Sequence, residues 1–172
     1  ETGAQMLAAC EAELASGGVD LLAMVAAVAD LLPAAPAQGK VPKEEVLDRL
    51  AGGMQWRSEI DILATLAREH GTRTRMLGFG AQTVEAATPE QVAATLLHEG
   101  REKLARKGCH ALFVNRVGVA ATGFASPTNA GQLIFVDGPV ADSGPPMLKL
   151  DLGHWILAEL HRRWFDAVRA RD

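Results

Sequence analysis

Apolar residues fall at three- and four-residue intervals from Ala4 to Leu14, with Met6, Leu7, Cys10 and Leu14 on one face, which predicts a helix. Gly17-Gly18 stops it. After Asp20 the spacing is lost. Leu21 to Val28 is a continuous apolar run that suits a strand buried on both faces, with a buried helix of Ala and Val as the rival. Leu32 to Lys43 is rich in Pro and Ala, contains Gly39, and predicts a loop ending in Lys40 and Lys43. Glu44 to Leu50 predicts a short helix, or a distorted strand pair runs through the region, and Gly52-Gly53 breaks it. Helical spacing returns from Ser58 to His70, placing Ile60, Leu63, Leu66 and Ala67 inward with Ser58 as the N-cap.

The second half alternates in the same way. Arg75 to Phe79 predicts a short strand that ends in Gly-Phe-Gly. Thr88-Pro89-Glu90 offers a cap residue, a proline for the first turn and an acid, opening a helix that runs to about Lys107 and ends at Gly108. His110–Asn115 and Gly131–Asp137 predict strands, the second closed by an Asp137-Gly138 turn, and Asp142 to Pro146 predicts a loop. Asp151 to Arg169 predicts a closing amphipathic helix with Leu152, Trp155, Ile156, Leu160 and Trp164 at core spacings. Strands alternating with helices, two of them apolar throughout, imply an α/β domain with a largely parallel sheet. In such sheets ligands sit beyond the carboxyl ends of the strands. That directs attention to Asp30, to the stretch after Phe79 and to Asn115.

Composition narrows the function. With 172 residues, 48% apolar and 22% charged, the chain reads as one soluble globular domain spanning 1–172. A net charge of -4 argues against a general nucleic-acid binder, which would carry a basic face. No apolar run is long enough for a membrane span. The two isolated cysteines, Cys10 and Cys109, fit a reducing, cytoplasmic compartment and read as small buried hydrophobes. The opening Glu1-Thr2-Gly3 lacks an initiator Met and signal-peptide features, which points to a trimmed N-terminal end. The five His residues show no zinc spacing. Gly78-Phe79-Gly80 is neither a dinucleotide fingerprint nor a Walker loop.

Several stretches in order resemble one family. Ala26-Ala27-Val28-Ala29-Asp30 is similar to a strand ending in Ala-Ala-Val-Ala-Asp, and Gly39-Lys40-Val41-Pro42-Lys43 to a Lys-Ile-Lys-Lys flap. Leu77-Gly78-Phe79-Gly80-Ala81-Gln82-Thr83 resembles Val-Gly-Phe-Ala-Ala-Glu-Thr. Arg101 to Gly108, followed by Val114-Asn115, resembles a Lys-rich helix end and a strand closing in Ala-Asn-Asp. Gly123-Phe124-Ala125-Ser126 with Asn129 echoes Gly-Phe-Gly-Ser-Asp-x-Asn. Together they resemble the bacterial CTP-dependent phosphopantothenate–cysteine ligases, the synthetase half of the bifunctional decarboxylase/ligase proteins of coenzyme A synthesis, from about residue 4 to residue 165.

The resemblance implies a Rossmann-like three-layer α/β domain with a flap or hairpin extension. It implies that the carboxylate of 4′-phosphopantothenate attacks the α-phosphate of CTP, giving an acyl-cytidylate that cysteine converts to the amide, with Mg²⁺ as companion. It further implies a homodimer with its site at the subunit interface and a flavin decarboxylase domain upstream. Residue by residue, it implies backbone contact with the nucleotide at Met24, Val25 and Ala26, and Asp30 at the cytidine end. Ile60, Asp61, Ile62 and Leu63 would form a helix N-terminal site, and Phe79 would pack on the base or ribose. Lys103 and Lys107 would meet phosphates. Lys40 and Asn115 are the implied catalytic residues, as flap lysine and as a group near the substrate carboxyl.

Departures from the pattern set the alternatives. Lys40-Val41-Pro42-Lys43 has one lysine fewer than the resembled flap; Ile60 stands for a Pro, Gln82 for a Glu, and Arg116 for the Asp after Asn115. The family's first strand and its Ser-Ser-Gly-Lys-Met-Gly helix start have no counterpart in these 172 residues. A catalytically incomplete nucleotide-binding or dimerisation module of the same fold is therefore the second reading. Taken singly, each residue has an ordinary explanation as well. Asp30 suits a turn after a strand. Lys103 and Lys107 suit a solvated helix end, and Phe79 suits strand-end packing. Trp56, Trp155 and Trp164 read as packing, with a dimer contact as the further possibility for Trp56.

Overall fold

A computed structural model describes residues 2–35, 39–53, 55–85, 88–119, 121–123 and 125–166. Glu1, part of the Pro/Ala-rich stretch (36–38), Phe124 and the end of the closing helix (167–169) lie outside the described residues. The elements run α1 (Gly3–Ser16), β1 (Leu21–Met24), β2 (Leu31–Pro33), α2 (Lys43–Ala51), β3 (Trp56–Ser58), α3 (Ile62–His70), β4 (Arg75–Gln82), α4 (Pro89–Lys107), β5 (Ala111–Arg116), β6 (Thr128–Asn129), β7 (Gln132–Phe135), β8 (Ala141–Asp142), β9 (Met147–Leu148) and α5 (Lys149–His161), which a π-helical turn extends over Arg162–Asp166.

The main sheet has the order β1-β4-β5-β7-β8. β1, β4 and β5 are parallel, and β7 and β8 add on antiparallel. The central strand β5 is apolar because both sheet faces are covered. Met76, Leu112, Val114 and Ile134 pack with Leu14 of α1, Leu66 of α3 and Leu96 and Leu104 of α4. Leu77, Ala111, Phe113, Leu133 and Phe135 pack with Leu152, Ile156 and Leu160 of α5. The result is the α/β arrangement implied by the alternation of patterns, in the three layers implied by the resemblance.

Local chemistry explains the boundaries. Thr2 and Gln5 form a capping box on α1, and Thr88 with Gln91 forms one on α4. Gly108 ends α4 in the left-handed conformation at φ 63°. Three expectations need correction. Ser58 is not the cap of α3: it pairs with Leu31 in the β2–β3 hairpin, and Asp61 caps the helix instead, accepting from Ala64 N at 3.1 Å. Ile60 therefore precedes the helix and is 44% exposed, not inward. The run from Leu21 is paired only as far as Met24, because β1 lies at an edge of the sheet and Val25 turns out to solvent.

Helix and hairpin were posed as rivals for the segment after Leu32, and both form. β2 and β3 pair antiparallel, and α2 lies between them in sequence. None of the α2 residues is buried, and Leu31, Leu47, Leu50 and Trp56 are all more than half exposed.

A half-buried histidine ties the sheet to the π-helical turn after α5. His110 Nδ1 accepts from Met76 N at 3.0 Å, and its ring meets Trp164 edge-on. Desolvation, then the Arg75 charge, holds His110 below its ordinary value. A histidine depressed in the folded state stabilises fully above the unfolded value, and the contribution fades as pH falls toward the folded value. Melting temperature is expected to drop as pH falls below the ordinary histidine value of about 6.5, and His110→Gln should flatten that segment of the profile. Parallel profiles for the two proteins would count against the assignment.

Candidate functional site

At the carboxyl end of β1, on the side of the sheet that carries α3 and α4, a cavity of about 190 Å³ is enclosed by the Ala26–Asp30 loop, residues 60–63, Phe79, Lys103 and Lys107. Asp30 stands at the foot of the hairpin, where its carbonyl accepts from Glu59 N at 2.9 Å. The first turn of α3 borders the cavity; Asp61 takes the Ala64 N–H there, and the helix N-terminus adds partial positive charge that suits an anion.

Lys103 reaches the cavity because a glycine of β4 leaves room for it, and a second glycine seats α4 on the sheet. A Cβ at Gly80 would lie 3.4 Å from Lys103 Nζ, and one at Gly100 only 2.4 Å from Ile134 Cδ1. Gly80 lets Lys103 lie across β4, and Gly100 brings α4 close to β5 and β7. Desolvation, then repulsion from Lys107 and Arg106, pushes the Lys103 ammonium below its ordinary value, against the pull of Asp30 and Asp61. Lys103 makes no ion pair among the described residues. Lys107 differs: its Nζ donates to Asp61 Oδ2 at 2.6 Å. Desolvation raises the Asp61 carboxyl, but the hydrogen bonds from Lys107 and Ala64 N and the charges of Lys107 and Arg106 outweigh it, holding the group below the usual range.

Of the residues singled out by sequence, Met24, Ala26, Asp30, Ile60, Asp61, Ile62, Leu63, Phe79, Lys103 and Lys107 all border this cavity. Val25 is 64% exposed and does not. Lys40 is exposed in the stretch leading into α2 and stands outside the lining. Asn115 is buried and also outside it: its Nδ2 donates to Asn129 Oδ1 at 3.2 Å, clamping the loop that follows β5. The Phe79 ring borders the cavity while resting 5.8 Å from Phe113, so it serves the α5-side core as well. Sequence reasoning passed over Ala27, Val28 and Ala29 as lining and over Gly80 and Gly100 as spacers. Gly78-Phe79-Gly80 was the available signal, since glycine on one face of a buried strand marks a close approach. Cys109 is buried beneath this region and its thiol is pushed up to about 11, which makes it an inert core residue.

Residues 1–163 match the family described as the DNA/pantothenate metabolism flavoprotein C-terminal domain. Over 130 residues the chain is 35% identical to the coenzyme A biosynthesis bifunctional protein CoaBC of Mycobacterium bovis, covering 69% of this chain and 27% of that protein. The CoaBC of Mycolicibacterium smegmatis is likewise 35% identical over 130 residues, covering 69% of this chain and 28% of that protein. The chain thus spans well under half the length of these relatives. The crystal structure of the C-terminal domain of CoaBC superposes with a TM-score of 0.62 at 23% identity, over 96% of this chain and 66% of that one. A DNA/pantothenate metabolism flavoprotein from Streptococcus pneumoniae gives 0.59 at 13% identity, over 94% and 68%. At these identities the two structures bear on the fold alone.

Proposed function

Because this chain belongs to the DNA/pantothenate metabolism flavoprotein C-terminal domain family, we propose that it acts in coenzyme A synthesis as the CTP-dependent domain joining 4′-phosphopantothenate to cysteine through an acyl-cytidylate. The observation that carries this is the single cavity gathering Asp30, the start of α3, Lys103 and Lys107. The elements that form it are far apart in sequence, and together they offer a carboxylate, a helix N-terminus and two ammonium groups.

The chemistry asked of these groups is charge neutralisation. Attack of one anion on the α-phosphate of another is slow unless cations offset the charge as it moves to the pyrophosphate. Lys103 is the cation free to do so, and Lys107 would be shared between Asp61 and the nucleotide. Among the described residues no group of three or more His, Cys, Asp or Glu is placed to hold a metal ion. Magnesium asks for only one or two protein carboxylates beside a nucleotide's phosphates, so it fits here as a companion carried largely on those phosphates. The exposed apolar residues of the hairpin and α2, Leu31, Leu47, Leu50 and Trp56, support a second copy of the chain covering that region.

Calorimetric titration with CTP and with ATP, each with magnesium, tests the assignment. CTP is expected to bind more tightly; Asp30→Ala should weaken it, and Lys40→Ala should cost turnover more than binding. Selective CTP binding with no turnover on the full substrate set would favour the catalytically incomplete module. A folded chain that binds neither nucleotide would overturn both.

A further inference from the structure

Along the N-terminal half of α4 lies a second, open cleft of about 560 Å³, bordered among others by Val92, Ala93, Leu96, Arg116, Thr122 and Gln132, and sharing no residue with the first. β5 and β7 set it up. Val114 stands opposite Gln132, and Arg116 follows Val114 by two residues, so Arg116 and Gln132 share the sheet face that Val114 and Ile134 present to α4.

Three polar atoms there are buried without a hydrogen-bond partner among the described residues: Arg116 Nε, Thr122 Oγ1 and Gln132 Oε1. Such groups are costly when left unmade, so each needs an explanation. Gln132 is only 7% exposed. Its Nε2 donates to Asp142 Oδ2 at 3.3 Å, which fixes the amide and leaves Oε1 as the unused acceptor. Arg116 is anchored as well: Nη2 donates to the Val84 carbonyl at 2.7 Å. Its guanidinium makes no ion pair among the described residues. Arg116 is also a point at which this chain departs from the pattern it resembles, which carries an acid there.

The complement of this arrangement is specific. A fixed guanidinium N–H and a hydroxyl bordering one cleft call for a carboxylate. An unused amide oxygen on the same face calls for a donor close to that carboxylate. Val92, Ala93 and Leu96 supply an apolar wall for a short side chain. We propose that this cleft binds a small organic acid with a hydrogen-bond donor beside its carboxylate, an amino acid or a hydroxy acid, at a site separate from the nucleotide cavity. The proposal does not depend on the ligase assignment.

The test is an NMR titration of the isotope-labelled chain with L-alanine, L-lactate and acetate. Alanine or lactate should shift the signals of Arg116, Thr122 and Gln132 saturably, and acetate, lacking the donor, should bind about tenfold or more weakly. Tighter alanine identifies an amino acid, and tighter lactate a hydroxy acid. Arg116→Leu should weaken the better ligand about ten- to a hundredfold; if that variant does not fold, the map on the unsubstituted chain still decides. No saturable shift, shifts confined to other residues, or acetate binding as well as alanine would each overturn the proposal and leave water as the partner of these atoms.

Discussion

Replacing Lys103 by methionine is expected to weaken CTP binding about ten- to a hundredfold while leaving the fold as stable as before, or more so. The two halves of that expectation have one cause. The ammonium is drawn out of water beside Lys107 and Arg106 without an ion pair of its own among the described residues. Its charge therefore costs the folded state rather than supporting it, and methionine keeps the aliphatic stem while removing that cost. A triphosphate reverses the balance, since a desolvated cation aimed at a phosphate oxygen forms a charge-assisted bond. A lysine whose value is depressed by folding disfavours the folded state at neutral pH, and the penalty lifts only as pH rises toward the unfolded value. Calorimetry reads the first effect and a thermal melt the second. Unchanged CTP affinity would remove Lys103 from the site; a lowered melting temperature would mean that its role is structural.

Gly131→Ala is the substitution expected to damage the fold most. A Cβ there would lie 2.2 Å from the Val114 carbonyl oxygen, 2.7 Å from Phe113 Cζ and 3.0 Å from the Val114 carbonyl carbon. Two of the three are backbone of the central strand β5, which no rotamer change relieves. The β5–β7 pairing that begins at Val114–Gln132 must shift instead. A loss of about 3 kcal/mol is expected, or roughly 6–12 °C in melting temperature for a domain of this size. Gly153 in α5 is the contrast: nothing lies within 4 Å of its added Cβ, so Gly153→Ala should be neutral or stabilise by up to about 1 kcal/mol. A Gly131→Ala melt within a degree or two of the parent's would show that β7 yields more easily than its packing implies.

The parts of the fold legible in the sequence are those where one local signal dominates. Thr88-Pro89 and Gly108 bracket α4 almost to the residue, because capping chemistry acts over one turn. The apolar run at Ala111–Val114 reads as a central strand because both of its faces are covered. The failures come where tertiary pairing overrides local preference. Ser58 is a good cap residue, but its place opposite Leu31 takes it into a hairpin and passes the role to Asp61. Val25 to Ala29 is as apolar as any strand, yet no neighbouring strand receives it. Most of the lining of the cavity at the end of β1 was legible through resemblance, which carries order and spacing that periodicity does not. The second cleft was not legible, because it depends on which buried atoms go unpaired once β5, β7 and β8 have come together.

The segment carrying Lys40 has a consequence for measurement. α2 buries no residue, and the hairpin at its base is held by three paired positions per strand. Its opening free energy is thus set by a few solvent-facing contacts, far below that of β5, whose first five residues are buried. Amide hydrogen exchange should be fast throughout α2 and slowest at Leu112–Val114, with the two regions responding differently to mild denaturant. If CTP orders the hairpin, protection there should rise on binding with little change in β5. The ordering cost would then lower the measured affinity below what the cavity contacts alone could give.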